Sequence, residues 1–305
     1  MSEKTLRQLV GALAVVVAIW LIVSFVSGVG GGGSIAASGE ITRFFEGVDG
    51  ESLESARLTR REEAISLERA EEGWRVNGFP ADSGSVSRFL AALDEADVRD
   101  LVASNPQNHD RMGVSDDSAT VVELTGAGST RTMLVGKSGR AYGTAYARLP
   151  GADEVYLLDG DLRAQVVRGL DDWRNRTMVA IDTAAVVRVE IEREGAAYAL
   201  QRGDSAWVFE SGGAADATAV NGVLSELSRL VATGFLSESD SIAALEQASS
   251  TRAYSESGDL LAEITIGSGS GDRWARTASD DYLYRISSFR AGRVAPSRED
   301  ADPDS

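Results

Sequence analysis

The chain has no cysteine, one histidine and only two lysines, Lys4 and Lys137, in 305 residues. Lack of cysteine excludes disulfides, thiolate metal sites, thiol nucleophiles and a lipidated cysteine anchor. Stability therefore comes from packing, and the roughly 250 residues outside the two termini suffice for two domains with separate cores. His109 lies in the polar stretch Asn105-Pro106-Gln107-Asn108-His109-Asp110 and reads as a solvated side chain. One histidine without a thiol also falls short of the usual zinc ligand sets. Positive charge is scarce as well, with 30 basic against 47 acidic residues and a net charge of -17. Residues 1–39 carry only Glu3, Lys4 and Arg7, a net of +1, so the remainder carries -18. Such a surface repels phosphate backbones and excludes nucleic acid as a partner. Its first physical effect is solubility, with weak attraction for basic partners or divalent cations.

One long apolar run is present. Leu9 to Val26 is apolar except for Gly11 and Ser24, and extension to Val29 gives a helix of about 30 Å, enough for one hydrocarbon core. Lys4 and Arg7 precede it and no basic residue follows before Arg43. The expected orientation is thus a cytoplasmic N-terminus with the bulk of the chain outside the cytoplasm. A cleaved signal peptide is the alternative, but the apolar core exceeds the usual ~7–15 residues and no small-x-small site follows closely. Gly28 to Ser34 satisfies a GxGxxG string without the strand and helix that a dinucleotide site requires, and reads as a flexible tether.

Behind this segment one pattern occurs twice. Trp74 and Trp207 stand 133 residues apart, and at the same spacing Asp49 matches Asp182, Leu53 Val186, Leu58 Ile191, Arg60 Arg193, Leu67 Leu200 and Arg69 Arg202. At a spacing of 134, Asp82 matches Asp216, Val86 Val220, Leu90 Leu224, Leu93 Leu227, and Leu101-Val102 matches Phe235-Leu236. A period this long indicates two duplicated domains, not a solenoid of small units. Each opens with short strands joined by tight turns, ending at Trp74 or Trp207. Each then reaches a helix headed by aspartate: Asp82 before Val86, Phe89, Leu90 and Leu93, and Asp216 before Val220, Val223, Leu224, Leu227 and Leu230. Further strands follow, and Tyr146-Ala147-Arg148 matches Trp274-Ala275-Arg276 at a spacing of 128. Turn-separated strands imply antiparallel sheets with a helix on one face.

No reacting constellation emerges. The nucleophile elbow Gly-x-Ser-x-Gly is absent. The pairs Glu62-Glu63, Asp116-Asp117, Asp171-Asp172 and Asp280-Asp281 are adjacent residues, which point to opposite faces of a strand and so do not make a two-carboxylate site by themselves. Asp159-Gly160-Asp161 is too short for a calcium loop. Gly267 to Gly271 has no following lysine and reads as a hairpin turn, not a phosphate cradle. Asn175-Arg176-Thr177 fits a glycosylation sequon, a pattern too short to carry weight. Trp74 and Trp207, and likewise Tyr146 and Trp274, could line a groove, but closing a sheet against its covering helix is the preferred role.

Gly73-Trp74-Arg75-Val76, the helix start Ala81-Asp82, Met112-Gly113-Val114, Leu134-Val135-Gly136, Tyr146-Ala147-Arg148, Val155-Tyr156-Leu157 and the linker Trp173-Arg174-Asn175-Arg176-Thr177 come in an order that resembles a tandem-repeat family of bacterial envelope proteins of unknown function. The resemblance covers about Asp49 to Phe289. It implies a membrane helix, an exported repeat region and association with ABC-type transporters of the gliding-motility kind. It carries no catalytic residues. The second copy departs from the pattern: it lacks the glycine of the Met112-Gly113-Val114 turn, shortens the loop after Gly267 and stops before a closing helix.

The sequence therefore predicts an α+β chain: cytoplasmic residues 1–8, a transmembrane helix over 9–29, a tether over 30–48, repeat domains over 49–181 and 182–289, each a mainly antiparallel sheet covered by a helix, and a disordered acidic tail over 290–305. The expected role is a membrane-anchored extracytoplasmic binding or scaffolding protein that is not an enzyme, with an envelope or membrane protein, such as an ABC-type transporter, as partner. No catalytic, cofactor-binding or metal-ligating residue is assigned and no cofactor is expected. The alternative is an envelope hydrolase with an acidic site between the two domains.

Overall fold

A computed structural model describes residues 39, 41–45, 50–236, 247–268 and 271–303. The chain forms two compact units that divide between Arg174 and Asn175. The predicted membrane segment 9–29, residues 30–38, 40 and 46–48 of the expected tether, and Asp49 lie outside the described residues.

The first unit is built on a nine-stranded sheet. Its strands are β1 (Leu53–Arg60), β2 (Glu63–Ala70), β3 (Gly73–Val76), β4 (Phe79–Pro80), β5 (Asp97–Ala103), β6 (Thr120–Gly126), β7 (Ser129–Ser138), β8 (Thr144–Arg148) and β9 (Val155–Asp159). They lie in the order β4-β3-β2-β1-β6-β7-β8-β9-β5, and every pairing is antiparallel. Tight turns make this possible. Asn77-Gly78 and Ala127-Gly128 each hold two successive positive φ angles, the backbone of the two-residue hairpin turn that matches strand twist. Alternation sends Ala56, Leu58, Ile65, Leu67, Val122, Leu124, Met133 and Val135 to one face. The helix Ser83–Asp94 lies over that face and buries Val86, Phe89, Ala92 and Leu93, with Leu90 packed at the margin. Ile41 and Phe44, from the helical residues 41–45, join the same core. Trp173, at the end of the short helix Leu170–Trp173, is fully buried edge-on to Phe89 at 5.6 Å.

The second unit begins with β10 (Thr177–Val179), which pairs with β14 (Leu230–Val231). Residues 175–181, grouped with the first domain by the sequence pattern, thus fold with the second. Its main sheet comprises β11 (Arg188–Arg193), β12 (Ala196–Arg202), β13 (Trp207–Phe209), β15 (Gly234–Phe235), β16 (Gln247–Tyr254), β17 (Leu260–Gly267), β18 (Arg273–Thr277) and β19 (Tyr284–Ile286). Their order is β13-β12-β11-β16-β17-β18-β19-β15. Apart from the two-residue β4, this is the succession found in the first unit. The helix Ala217–Ser228 covers it, burying Val220, Val223 and Leu227, while Leu230 belongs to β14 beyond the helix end.

The expected α+β class with a leading membrane helix is not what the described residues show. They are mostly antiparallel sheet, with nine strands in the sheet of the first unit and, in the second, eight in the main sheet besides the β10–β14 pair. Turns of two residues return the chain at once, so strands accumulate where crossover helices would otherwise stand. The two covering helices have 12 residues each, about 18 Å of rise against a hydrocarbon core of about 30 Å. No helix of the described residues is long and apolar enough to cross a membrane.

The C-terminal expectation is corrected too. Residues 288–294 form a helix whose N-cap, Ser287, accepts the Arg290 amide through its hydroxyl. Ala291, Val294 and Ala295 fall at i, i+3 and i+4 and are buried, as is Ala301. Thr251 donates to the Val294 carbonyl at 2.8 Å and the Tyr198 phenol donates to that of Pro296 at 2.8 Å. Acidic composition here reflects the outward face of a packed segment. The second unit therefore has the closing helix that its sequence pattern did not reveal.

In both units the covering helix is tied to the closing segment in the same way. The Asp82 amide donates to the Trp173 carbonyl at 2.7 Å, and the Asp216 amide to the Ala301 carbonyl at 2.8 Å. Each aspartate also caps its helix, Asp82 accepting from the Ser85 amide and Asp216 from the Ala219 amide.

Gly136 in β7 shows how closely the loops are drawn to the sheet. A Cβ there would lie 2.5 Å from the Met112 carbonyl oxygen and 2.9 Å from that of Gly113. Gly136→Ala must push this backbone away, so urea unfolding is expected to show a loss of about 1–3 kcal/mol. Unchanged stability would mean that the 112–114 loop yields freely.

Candidate functional site

Residues singled out in the sequence are placed as follows. Trp74 and Trp207 are half-buried, each under a guanidinium from the strand position opposite it: Arg69 at 5.0 Å and Arg202 at 5.4 Å. They stand near sheet edges, in β3 and β13. Tyr146 packs beside Met112, Val114 and Val155, and the Trp274 indole fills the space where a side chain on Gly267 would stand. His109 faces solvent with its Nε2 3.0 Å from the Asp153 carbonyl. Glu62-Glu63 lies at the exposed β1–β2 turn, and Asp171-Asp172 in the first turn of a short helix. Asp116 pairs with the buried Arg148, which also donates to the Val114 and Ala152 carbonyls. Asp280 accepts from the Tyr284 phenol. The turn after Gly267 is only partly described, and the β17 and β18 strands flanking it are paired. Among the described residues, no three histidine, aspartate or glutamate side chains are grouped to hold a metal ion.

Two polar arrangements remain, both in the second unit. The first lies on the sheet face away from the helix. Arg188 donates to Glu210 at 2.9 Å and to Glu190 at 2.6 Å, the Tyr254 phenol donates to Glu190 at 2.8 Å, and Arg252 donates to Glu263 at 2.6 Å. Glu190 sits opposite Arg252 in register. The first unit has the reverse pair, Arg57 opposite Glu123, at 3.9 Å. Hydrogen bonding from Tyr254, reinforced by Arg188, holds the Glu190 carboxyl below its ordinary range. Arg188 does the same for Glu210. Burial and the bond to Glu190 raise the Tyr254 phenol. Each of these acids already has its donors, so the ladder fastens strands and offers little to a ligand.

The second arrangement is a groove of about 830 Å³ along the helices Ala217–Ser228 and Ser288–Val294. Ala219, Gly222, Ser225 and Gly292 give it a shallow lining, and Asp216, Asn221, Arg293, Pro296 and Asp300 lie around them. Phe289 lines it with 69% of its surface exposed, and the Arg293 guanidinium lies 5.6 Å from that ring. Behind the groove Glu226 is almost wholly buried. It accepts from Arg290 at 2.9 Å and lies 3.6 Å from the Arg293 Nε, so its charge is compensated. Three further hollows among the described residues of this unit measure about 360 to 380 Å³. An open, largely apolar concavity with a few polar groups at its rim suits binding of a side chain or peptide.

A family model described as "Domain of unknown function (DUF4340)" matches residues 74–249. The chain belongs to this family. The match runs from β3 in the first unit to β16 in the second, so it takes in parts of both. No curated protein and no solved structure matches this DUF4340 chain.

Sequence reasoning missed the groove because it set Phe289 at the end of a domain and dissolved everything after it. The signal was present in Ser287, a helix-capping residue, followed by Ala291, Val294 and Ala295 at helical spacing.

The Glu190 ladder yields a pH prediction. A folded-state value depressed below the unfolded one, about 4.3 for glutamate, contributes stability at higher pH that disappears as pH falls through the folded value. Carbon-detected titration of the Glu190 carboxyl should therefore give a midpoint below that of free glutamate, and Tyr254→Phe should move it upward. An unmoved midpoint would show that the phenol does not hold the carboxylate.

Proposed function

We propose that the chain is a binding or scaffolding protein of two units derived by duplication, held at a membrane with both units on the extracytoplasmic side. The contact surface is the groove of the second unit. The observation that carries this reading is the groove itself: an open apolar surface that exposes Phe289 while the acids beside it already serve as helix and turn caps. A largely apolar concavity with an aromatic side chain at its rim has the make-up of a binding surface. The expected partner is an envelope or membrane protein, and the resemblance in sequence favours one belonging to an ABC-type transporter. The location rests on the apolar run from Leu9 to Val26 and on Lys4 and Arg7 before it.

Two measurements test these statements separately. A photo-crosslinking amino acid at Asn221 on the groove, introduced in intact cells, should capture a discrete protein that the same group at Glu63 does not. Equal capture at both positions would remove the groove from the proposal. Location is tested through the absence of native cysteine: Tyr142→Cys, at a fully exposed site, should react with a membrane-impermeant maleimide in cells whose inner membrane is intact. Labelling only after lysis would place the units in the cytoplasm.

A further inference from the structure

The first unit shows what fills the corresponding place when it is not open. On the covering helix, Asp82 and Arg88 correspond to Asp216 and Gly222, 134 residues later. On the closing segment Asp161, Arg168, Asp172 and Trp173 correspond to Phe289, Pro296, Asp300 and Ala301, 128 residues later. These spacings are anchored by the matching amide bonds Asp82 to Trp173 and Asp216 to Ala301. In the first unit two guanidinium groups occupy the site. Arg88 donates to the Ser85 hydroxyl at 3.0 Å, and Arg168 lies 5.8 Å from the Trp173 ring with its Nη1 buried and unpartnered. Arg168 lies within electrostatic reach of Arg88 and of the carboxylates Asp82, Asp161 and Asp172. The second unit places Gly222 and Pro296 at the two arginine positions yet keeps two of the three acids, Asp216 and Asp300.

We propose that the groove of the second unit receives an arginine side chain from an exposed segment of a partner protein, its guanidinium between Asp216 and Asp300 and its face against Phe289. The inference rests on the binding reading given above and specifies its partner. Both carboxylates are positioned in advance. Asp216 accepts the Ala219 amide on Oδ1. Asp300 makes its contacts to Ser297 and, at 3.9 Å, to Arg193 on Oδ2. Among the described residues, Oδ2 of Asp216 and Oδ1 of Asp300 have no hydrogen-bond or ion-pair partner. An incoming planar cation would find oxygen acceptors and an aromatic face together, the chemistry that distinguishes arginine from lysine. A second copy of this chain is a poorer occupant, because two molecules of net charge -17 repel.

The test uses the full-length chain in detergent and three short fluorescent alanine-serine peptides whose central residue is arginine, lysine or citrulline, the neutral isostere of arginine. Anisotropy should show the arginine peptide bound at least about tenfold more tightly than the citrulline peptide, with lysine between. Gly222→Arg, which restores the side chain of the first unit, should abolish that preference; circular dichroism melting verifies the fold of this variant, and arginine suits a helix better than glycine does. Asp216→Asn keeps a capping side chain and should weaken arginine binding about tenfold, so a folding failure in the first variant leaves the idea testable. Equal binding of arginine and citrulline peptides overturns the proposal, as does arginine binding that survives both substitutions. Absence of peptide binding, while crosslinking from Asn221 still captures a protein, overturns the arginine assignment and leaves the groove standing. Concentration-dependent self-association abolished by Gly222→Arg would make a second copy the occupant and overturn it as well.

Discussion

A large antiparallel sheet with one apolar face is stable only when something covers that face, and in each unit the longest element of the cover is a helix of 12 residues. So short a helix has little stability of its own. It is fastened at its N-terminus, where one aspartate does two things: its side chain caps the helix, and its backbone amide bonds to the segment that closes the unit. Cover and closure are thus joined at one residue. Asp82 brings Trp173 beneath the first helix, and Asp216 brings Ala301 beneath the second. Losing either bond would free both the cover and the last turn of its unit, which makes the aspartate and its carbonyl partner the point on which each core depends.

The same frame tolerates opposite contents. In the first unit Phe89 and Trp173 meet edge to face, and Arg88 and Arg168 fill the flank between helix and closing segment. In the second, Val223, Ala301, Gly222 and Pro296 stand at those positions, and the same flank is concave. The second unit is less filled there, and the Glu226 carboxylate lies buried beneath Arg290 and Arg293 where the first unit has Ala92. A buried ion pair gives less stability than well-packed apolar groups of similar volume. The second unit thus has an open surface at the place where the first is filled, while its sheet has the same strand succession.

Much of the framework was legible in the residues. The aspartates heading both helices, the alternation in β1 and β2, and the spacings linking Trp74 with Trp207 and Tyr146 with Trp274 all depend on local chemistry and appear directly in sequence. The dominance of strand over helix was less visible. Asn77-Gly78 carries a plain hairpin signature, but Ala127-Gly128 makes a turn of the same backbone with a residue that favours helices. The closing helix of the second unit was hidden by charge. Arg290 and Arg293 read as solvent-facing residues of a tail until Glu226, 64 residues from Arg290, supplies the buried anion that draws them in. A contact of that range leaves no periodic trace near either partner.

The groove illustrates the same limit from another direction. No motif marks it, because its defining positions are absences: a glycine where the sister helix has arginine, a proline where the sister segment has arginine again, and an alanine in place of tryptophan. Each is unremarked when read along one stretch of chain. They acquire meaning only when the two units are set in register through their shared amide bonds, and then the two acids stand out, since Asp216 and Asp300 carry the charge of Asp82 and Asp172 while Gly222 and Pro296 stand at the positions of Arg88 and Arg168. If those acids served only as caps, serine or asparagine would fit equally well. Arg193, 3.9 Å from Asp300, meets part of that acid's charge, and a cation brought from outside accounts for the rest and for the charge of Asp216.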